Sequence, residues 1–151
     1  MQSAYPYLLS FHNFLRWIVL AAGLAATIIA GSGWSGTKTT NDPLRRFAII
    51  FVASMDLQFL LGLVLYFGAS PIVHQALQNM SAAMKVKELR FFAVEHTTAM
   101  VIALVLAHVG AARARKAKTV VSQYRSAAIC FGLSLIAILI GIPWFRPLFR
   151  F

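Results

Sequence analysis

Four long apolar runs, separated by shorter polar segments, dominate the pattern of the chain. The runs cover about residues 8–30, 47–67, 91–112 and 126–142. A helix needs roughly 20 apolar residues to cross the hydrocarbon core of a bilayer, and each run is close to or above that length. The pattern predicts an all-α fold, an integral membrane four-helix bundle with its helices in antiparallel up-down-up-down order.

The segments between the runs have the composition of loops or of interfacial structure. The segment 31–46, GSGWSGTKTTNDPLRR, is rich in Gly, Ser and Thr and places Pro43 at a predicted helix start. In the next connector, apolar residues at helical spacing predict a short interfacial helix over 71–84. No cleavage site follows the first run, so we expect one membrane domain over 1–151 and no removable signal peptide.

Composition favours a bilayer over a soluble environment. Hydrophobic residues make up 60% of the chain, charged residues 12%, and the mean hydropathy is +0.74. Soluble domains carry about 25% charged residues. The lone Cys130 excludes a disulfide within one chain.

The net charge of +10 does not indicate a nucleic-acid partner, because the basic residues lie mainly in the connectors. Positively charged loops of membrane proteins stay on the cytoplasmic side. The first and third connectors outnumber the opposite side in basic residues: Lys38, Arg45, Arg46, Arg113, Arg115, Lys116, Lys118 and Arg125, against Lys85, Lys87, Arg90, Arg146 and Arg150. We therefore expect a bacterial inner-membrane protein with both termini outside, whose basic turn meets anionic headgroups or a partner subunit.

Ionisable groups inside the runs are candidates for function, because they are costly in a bilayer. Two of them are histidines on different helices. At 1.5 Å per residue from the outer end of each run, His12 lies ~6 Å deep and His96 ~9 Å deep. Matched depth on two helices is what two axial imidazoles need to hold a haem iron between them, an arrangement suited to electron transfer. The alternative is a structural hydrogen bond between the helices.

Small residues follow each histidine along its helix, and they allow two interpretations. Ala99, Ala103 and Ala107 lie below His96, and Gly23 lies below His12. They either leave room for a flat macrocycle or let helices approach closely in lipid. His108 is rotated ~120° from His96 around the helix, so it is expected at the inner headgroup level, outside the same site.

Arg16 is too deep to reach the membrane surface easily. It lies ~12 Å down, between Glu95 at ~7 Å and Asp56 at ~16 Å, so we expect it to pair with one of these acids. Such a pair either fixes helix packing or forms a quinone or proton site, with Gln58 as a further donor.

Four motifs resemble a family of small bacterial four-span membrane proteins classed as cytochrome b: HNFLRW (12–17), DLQFLLGLVLYF (56–67), LRFFAVEH (89–96) and GIPWF (141–145). The resemblance covers nearly the whole chain and implies a four-helix membrane bundle that binds haem b. Relatives often carry a histidine at the position of Asp56, so the resemblance implies no second ligand set here. The matching residues are His12, Arg16, Trp17, Gln58, Gly62, Arg90, Glu95 and His96.

These observations favour an electron-transferring b-type cytochrome that is a subunit of a larger respiratory or photosynthetic complex, and not a stand-alone enzyme. His12 and His96 are the expected iron ligands of a single haem b, and a quinone is a second candidate ligand. The expected cofactor-binding residues are His12, Arg16, Gln58, Gly62, Arg90, Glu95 and His96. Two alternatives remain: a haem-free accessory subunit, or a small proton-coupled carrier that uses Arg16, Asp56 and Glu95.

Overall fold

A computed structural model describes residues 4–146, which form helices, turns and loops without strands. The helices are α1 (Tyr5–Ser32), α2 (Asp42–Val64), α3 (Pro71–Gln78), α4 (Met80–Ala83), α5 (Lys87–Arg90), α6 (His96–Lys116) and α7 (Val120–Gly141). Four helical segments are long and apolar enough to cross a membrane: Tyr5–Ser32, Asp42–Ala69, Lys87–Lys116 and Val120–Gly141. The chain is thus an all-helical protein with four candidate membrane-spanning helices, as the hydropathy pattern predicts.

Two of the four segments contain a π-helical turn. The turn Leu65–Ala69 continues α2, and the turn Phe91–Glu95 leads from α5 into α6. The two turns are adjacent in space, since the hydroxyl of Tyr66 donates to the carbonyl of Ala93 at 3.0 Å. π-turns are rare and often occur at functional sites.

The predicted interfacial helix over 71–84 is two short helices, α3 and α4. Helix α3 begins at a proline after Ser70, whose hydroxyl accepts a hydrogen bond from the amide of Val73. The helix stops at Asn79, which has extended backbone (φ −149°, ψ 86°) and caps α4 by accepting from the amide of Ala82 at 3.0 Å. The expectation of one helix is therefore wrong, because α3 ends before Asn79 and this residue caps the start of a second helix.

The long helices pack through small side chains on their inner faces. Ala26, Ala103, Ala107 and Ala127 are fully buried in the core. Small residues let helix backbones approach closely, which drives helix association in lipid. Many large apolar side chains on the outer faces are exposed, among them Leu24, Ile28, Ile49, Leu60, Val105 and Ile136. An apolar outer surface of this kind matches a bilayer environment.

Polar contacts join the connectors at each end of the bundle. At one end, Nδ2 of Asn41 donates to Oε1 of Gln123 at 2.6 Å, and the hydroxyl of Tyr124 donates to the carbonyl of Thr40 at 3.1 Å. At the other end, the guanidinium of Arg146 pairs with Glu88. The candidate site lies near the second of these ends, because Arg146 is part of it.

Candidate functional site

A cavity of about 150 Å³, partly open to the surface, lies between α1, α2 and α6, next to both π-turns. Five of the seven predicted site residues line it: His12, Arg16, Gln58, Gly62 and His96. The π-turns supply Leu65, Tyr66 and Phe92 to the same wall. Of the residues chosen by depth, His12, Arg16 and His96 therefore lie on one cavity, whereas Asp56 and Glu95 do not.

His96 is held in place by a hydrogen bond to the end of α7. Its Nδ1–H donates to the carbonyl oxygen of Gly141 at 2.7 Å. This bond puts the proton on Nδ1 and leaves Nε2 with a lone pair. Metal-binding histidines commonly have such a second bond, which fixes the tautomer and the ring orientation. His96 is therefore prepared to act as a ligand through Nε2.

The rings of His12 and His96 face each other across helices α1 and α6. Their centroids are 6.3 Å apart and their planes are inclined by 70°. An imidazole nitrogen lies ~2.0–2.1 Å from a first-row metal and the ring centre ~1 Å behind it, so imidazoles on opposite sides of one metal have centres ~6 Å apart. The observed separation fits two axial ligands of one haem iron.

His12 also has a close neighbour on α2. The amide nitrogen of Gln58 donates to the carbonyl oxygen of His12 at 3.1 Å and contacts its Nε2 at 3.2 Å. Within residues 4–146, Nδ1 of His12 and Oε1 of Gln58 are buried without a hydrogen-bond partner. A buried polar atom without a partner costs about 1–3 kcal/mol. Two residues of the cavity wall thus each contain one buried polar atom without a partner.

Gly62 keeps the space beside the His12 ring open. A Cβ atom at this position would lie 3.4 Å from Cε1 of His12, at the edge of van der Waals contact. Any larger side chain would enter the cavity beside the ring. This supports the assignment of Gly62 to the site.

The spacing of the two histidines agrees with a bound haem, whereas the volume of the cavity is too small for one. The 6.3 Å spacing of the ring centres agrees with two imidazoles that share one iron, and a haem needs only two protein ligands, but the Gln58 amide would have to leave Nε2 of His12. The cavity volume of about 150 Å³ is below the ~300–1,000 Å³ of typical ligand pockets. It accommodates a single ring, so enclosing a whole porphyrin requires the surrounding helices or side chains to move apart.

The predicted pairing of Arg16 with Asp56 or Glu95 is wrong, because both acids have other partners. Oδ1 of Asp56 accepts from Nε2 of His108 at 2.8 Å on the outer surface of α2 and α6. Arg16 instead lines the cavity, with its guanidinium 5.4 Å from the ring centre of Trp17. His108 lies outside the cavity, as its helical angle predicts, but it pairs with Asp56 and is not a free side chain at headgroup level.

Arg90 and Glu95 are the two predicted site residues that do not line the cavity. Nε of Arg90 donates to Oε1 of Glu95 at 2.6 Å, and both side chains are more than one-third exposed. The extra residue of the π-turn Phe91–Glu95 gives this pair a different direction from His96. Arg146 lines the cavity instead, with its guanidinium 4.5 Å from the ring centre of Phe92. The sequence signal for Arg146 is its position directly after the aromatic residues of the segment PWFR (143–146).

The small residues below the histidines serve helix packing and do not enlarge the cavity. A Cβ on Gly23 would lie 2.8 Å from the Phe51 ring. The carbonyl of Ala103 accepts from the hydroxyl of Ser134 at 2.7 Å, deep in the core. Neither Gly23 nor the alanines 99, 103 and 107 are among the residues that line the cavity. The room for a ligand comes from the π-turns and Gly62.

No group of three or more His, Cys, Asp or Glu side chains suited to a bare metal ion occurs in the part of the chain that the structure describes. Comparisons with family models, with curated proteins and with solved structures found no match. The functional interpretation therefore depends on the geometry of the cavity.

Proposed function

We propose that the chain is a b-type cytochrome of the electron-transfer type, with one haem b held between α1 and α6 by His12 and His96. The observation that carries the proposal is the 6.3 Å separation of the two rings across the cavity. The bond from His96 to Gly141 supports it, because it leaves Nε2 unprotonated. Haem b would supply reversible one-electron transfer, with both axial positions filled by protein nitrogens.

The other residues of the cavity have separate roles in this proposal. The Gln58 amide holds α2 against α1 through its bond to the carbonyl oxygen of His12, and its contact with Nε2 would give way to the iron. Arg16 lines the cavity wall beside the ring of Trp17, where its guanidinium would donate hydrogen bonds to acidic substituents of a bound cofactor. Gly62 excludes a side chain from the space beside His12.

The proposal includes the arrangement in the membrane and the partners. Contacts of Gln58 with His12 and of His96 with Gly141 join opposite ends of sequential helices, which supports an antiparallel up-down-up-down bundle. The basic connectors support a location in the bacterial inner membrane with both termini outside. A one-haem carrier exchanges electrons with other proteins or with a quinone, so we assign it to a larger respiratory or photosynthetic complex.

A visible spectrum of the purified, dithionite-reduced protein tests the proposal. We expect sharp α and β bands of low-spin haem in the wild-type protein. His12→Ala and His96→Ala should each give high-spin haem or no haem, whereas His108→Ala, the matched control outside the cavity, should keep the low-spin spectrum. A full low-spin spectrum in either cavity variant would refute the ligand assignment.

A quinone headgroup is a second candidate ligand, and two observations favour it. The cavity has the volume of a single ring, about 150 Å³. Nδ1 of His12 and Oε1 of Gln58 are buried without a partner within residues 4–146, and rotation of these two side chains would let them meet a quinone carbonyl and a quinol hydroxyl. A colourless protein that retains quinone after purification, and loses it in Gln58→Leu, would assign the cavity to this ligand and reject the haem.

A further inference from the structure

A second cavity lies at the opposite end of the bundle, between the end of α6 and the start of α7. Its volume is about 270 Å³. Two arginines and three hydroxyl side chains share its wall with apolar residues, and none of the lining residues is acidic: Arg113, Thr119, Val121, Ser122, Arg125, Ser126, Ile129 and Cys130. A wall of this composition offers hydrogen-bond donors and positive charge to an anion.

The two guanidinium groups are available to a ligand. Neither Arg113 nor Arg125 belongs to an ion pair among residues 4–146. Arg125 is oriented by Trp34, since its Nε donates to the Trp34 carbonyl at 3.0 Å and the guanidinium lies 5.8 Å from the indole ring centre. This contact uses Nε and leaves the two terminal nitrogens of the guanidinium for another acceptor. Two guanidinium groups on one cavity wall suit a phosphate group, because they can bind several of its oxygens at once.

An apolar stripe begins at the cavity and runs along α7. Ile129 lines the cavity, and further exposed apolar residues follow it at helical spacing: Leu133, Ile136 and Ile140. From Ile129 to Ile140 the helix rises ~16 Å, about half the thickness of a hydrocarbon core. An anionic headgroup in the cavity would thus have a path for its acyl chain directly along the outer face of the helix. A free phosphate ion has no apolar part that could contact this stripe.

We propose that this cavity is a specific binding site for the phosphate of an anionic phospholipid, with Arg113 and Arg125 on the phosphate and the acyl chain along the stripe of α7. The proposal does not depend on the ligand of the first cavity. Basic pockets at the membrane surface between spanning helices are suited to acidic lipid headgroups, because each nearby arginine attracts the anionic phosphate.

The test is native mass spectrometry of the delipidated protein in detergent, titrated with phosphatidylglycerol, with phosphatidylcholine of the same acyl chains, and with inorganic phosphate. The wild-type protein should bind phosphatidylglycerol about tenfold or more tightly than phosphatidylcholine. The Arg113→Gln, Arg125→Gln double variant should lose that preference. The Arg115→Gln, Lys116→Gln variant removes the same charge from the same basic turn outside the cavity, so it should keep the preference.

Arg125 also holds Trp34, so Arg113→Gln alone provides a variant that leaves this contact intact. It should weaken phosphatidylglycerol binding severalfold at an unchanged melting temperature. Equal loss of binding in the Arg115, Lys116 control would overturn the proposal, because it would show a general charge effect. Equal affinity for phosphatidylcholine, or binding of inorganic phosphate as tight as that of phosphatidylglycerol, would also overturn it.

Discussion

Replacing His108 by leucine should destabilise the protein more than replacing both His108 and Asp56, because the single change leaves a carboxyl group without its partner in the middle of a spanning helix. Asp56 lies ~21 Å from Asp42 and ~20 Å from Ala69, the two ends of its helical segment. The side chain of Asp56 is 45% exposed and that of His108 is 51% exposed. In a membrane both side chains therefore face the hydrocarbon region or another protein.

The magnitude follows from this depth. An unpaired Asp at the centre of a spanning helix costs about 2.5–3.5 kcal/mol on an insertion scale. Hydrogen bonds between membrane helices contribute about 0.6–1.7 kcal/mol in double-mutant cycles. We expect His108→Leu to destabilise by about 2 kcal/mol, and the cycle with Asp56→Leu to give a coupling energy of at least about 1 kcal/mol.

The Arg90–Glu95 pair is a matched control for this cycle. Its side chains are 38% and 47% exposed, nearly the same as those of the Asp56–His108 pair, but it lies near the end of its helical segment. Exposed pairs in water contribute about 0.2–1 kcal/mol. Unfolding in detergent, followed by tryptophan fluorescence, measures both cycles. A coupling energy for Asp56–His108 no larger than that for Arg90–Glu95 would show that depth does not matter and would refute the reasoning.

Two further predictions concern packing and topology. Gly110→Ala should destabilise by about 1–3 kcal/mol, since its Cβ would lie 2.7 Å from Cβ of Cys130; Gly31→Ala, with nothing within 4 Å, should leave the melting temperature unchanged or raise it slightly. Equal shifts in the two variants would contradict the packing of α6 on α7. Reporter domains fused after Lys38 and at the carboxyl terminus should report opposite sides of the membrane, with Lys38 on the cytoplasmic side. Both reporters on one side would contradict the four-span topology.

The four long helices follow from hydropathy, but their ends do not. The second apolar run begins at about residue 47, whereas α2 begins at Asp42, with Pro43 in its first turn. The fourth run begins at about residue 126, whereas α7 begins at Val120, after a Thr119 cap on the amide of Ser122. Hydropathy reports the part of a helix that lies in lipid, while caps and prolines decide where the backbone hydrogen bonds start.

The convergence of His12 and His96 could be predicted because position along a spanning helix determines depth. The partners of the ionisable groups could not, since they depend on how each helix is rotated about its axis. The π-turn Phe91–Glu95 adds to this difficulty: it changes the helical angle directly before His96, so a constant 100° per residue does not describe the direction of Glu95. Depth therefore identified the site, and its local partners required the structure.

The placement of the chain's four acids bears on the proton-coupled carrier, the alternative that the sequence left open. Asp56, Glu88 and Glu95 form ion pairs with His108, Arg146 and Arg90, and Asp42 lies in the first turn of α2. Among residues 4–146, no carboxylate side chain lines the first cavity, whereas Arg16 and Arg146 do. A proton-coupled carrier needs a titratable acid where its substrate binds, and the predicted acids of such a site lie outside this cavity. The proposed b-type cytochrome needs no acid in the cavity, because its two protein ligands would be imidazoles.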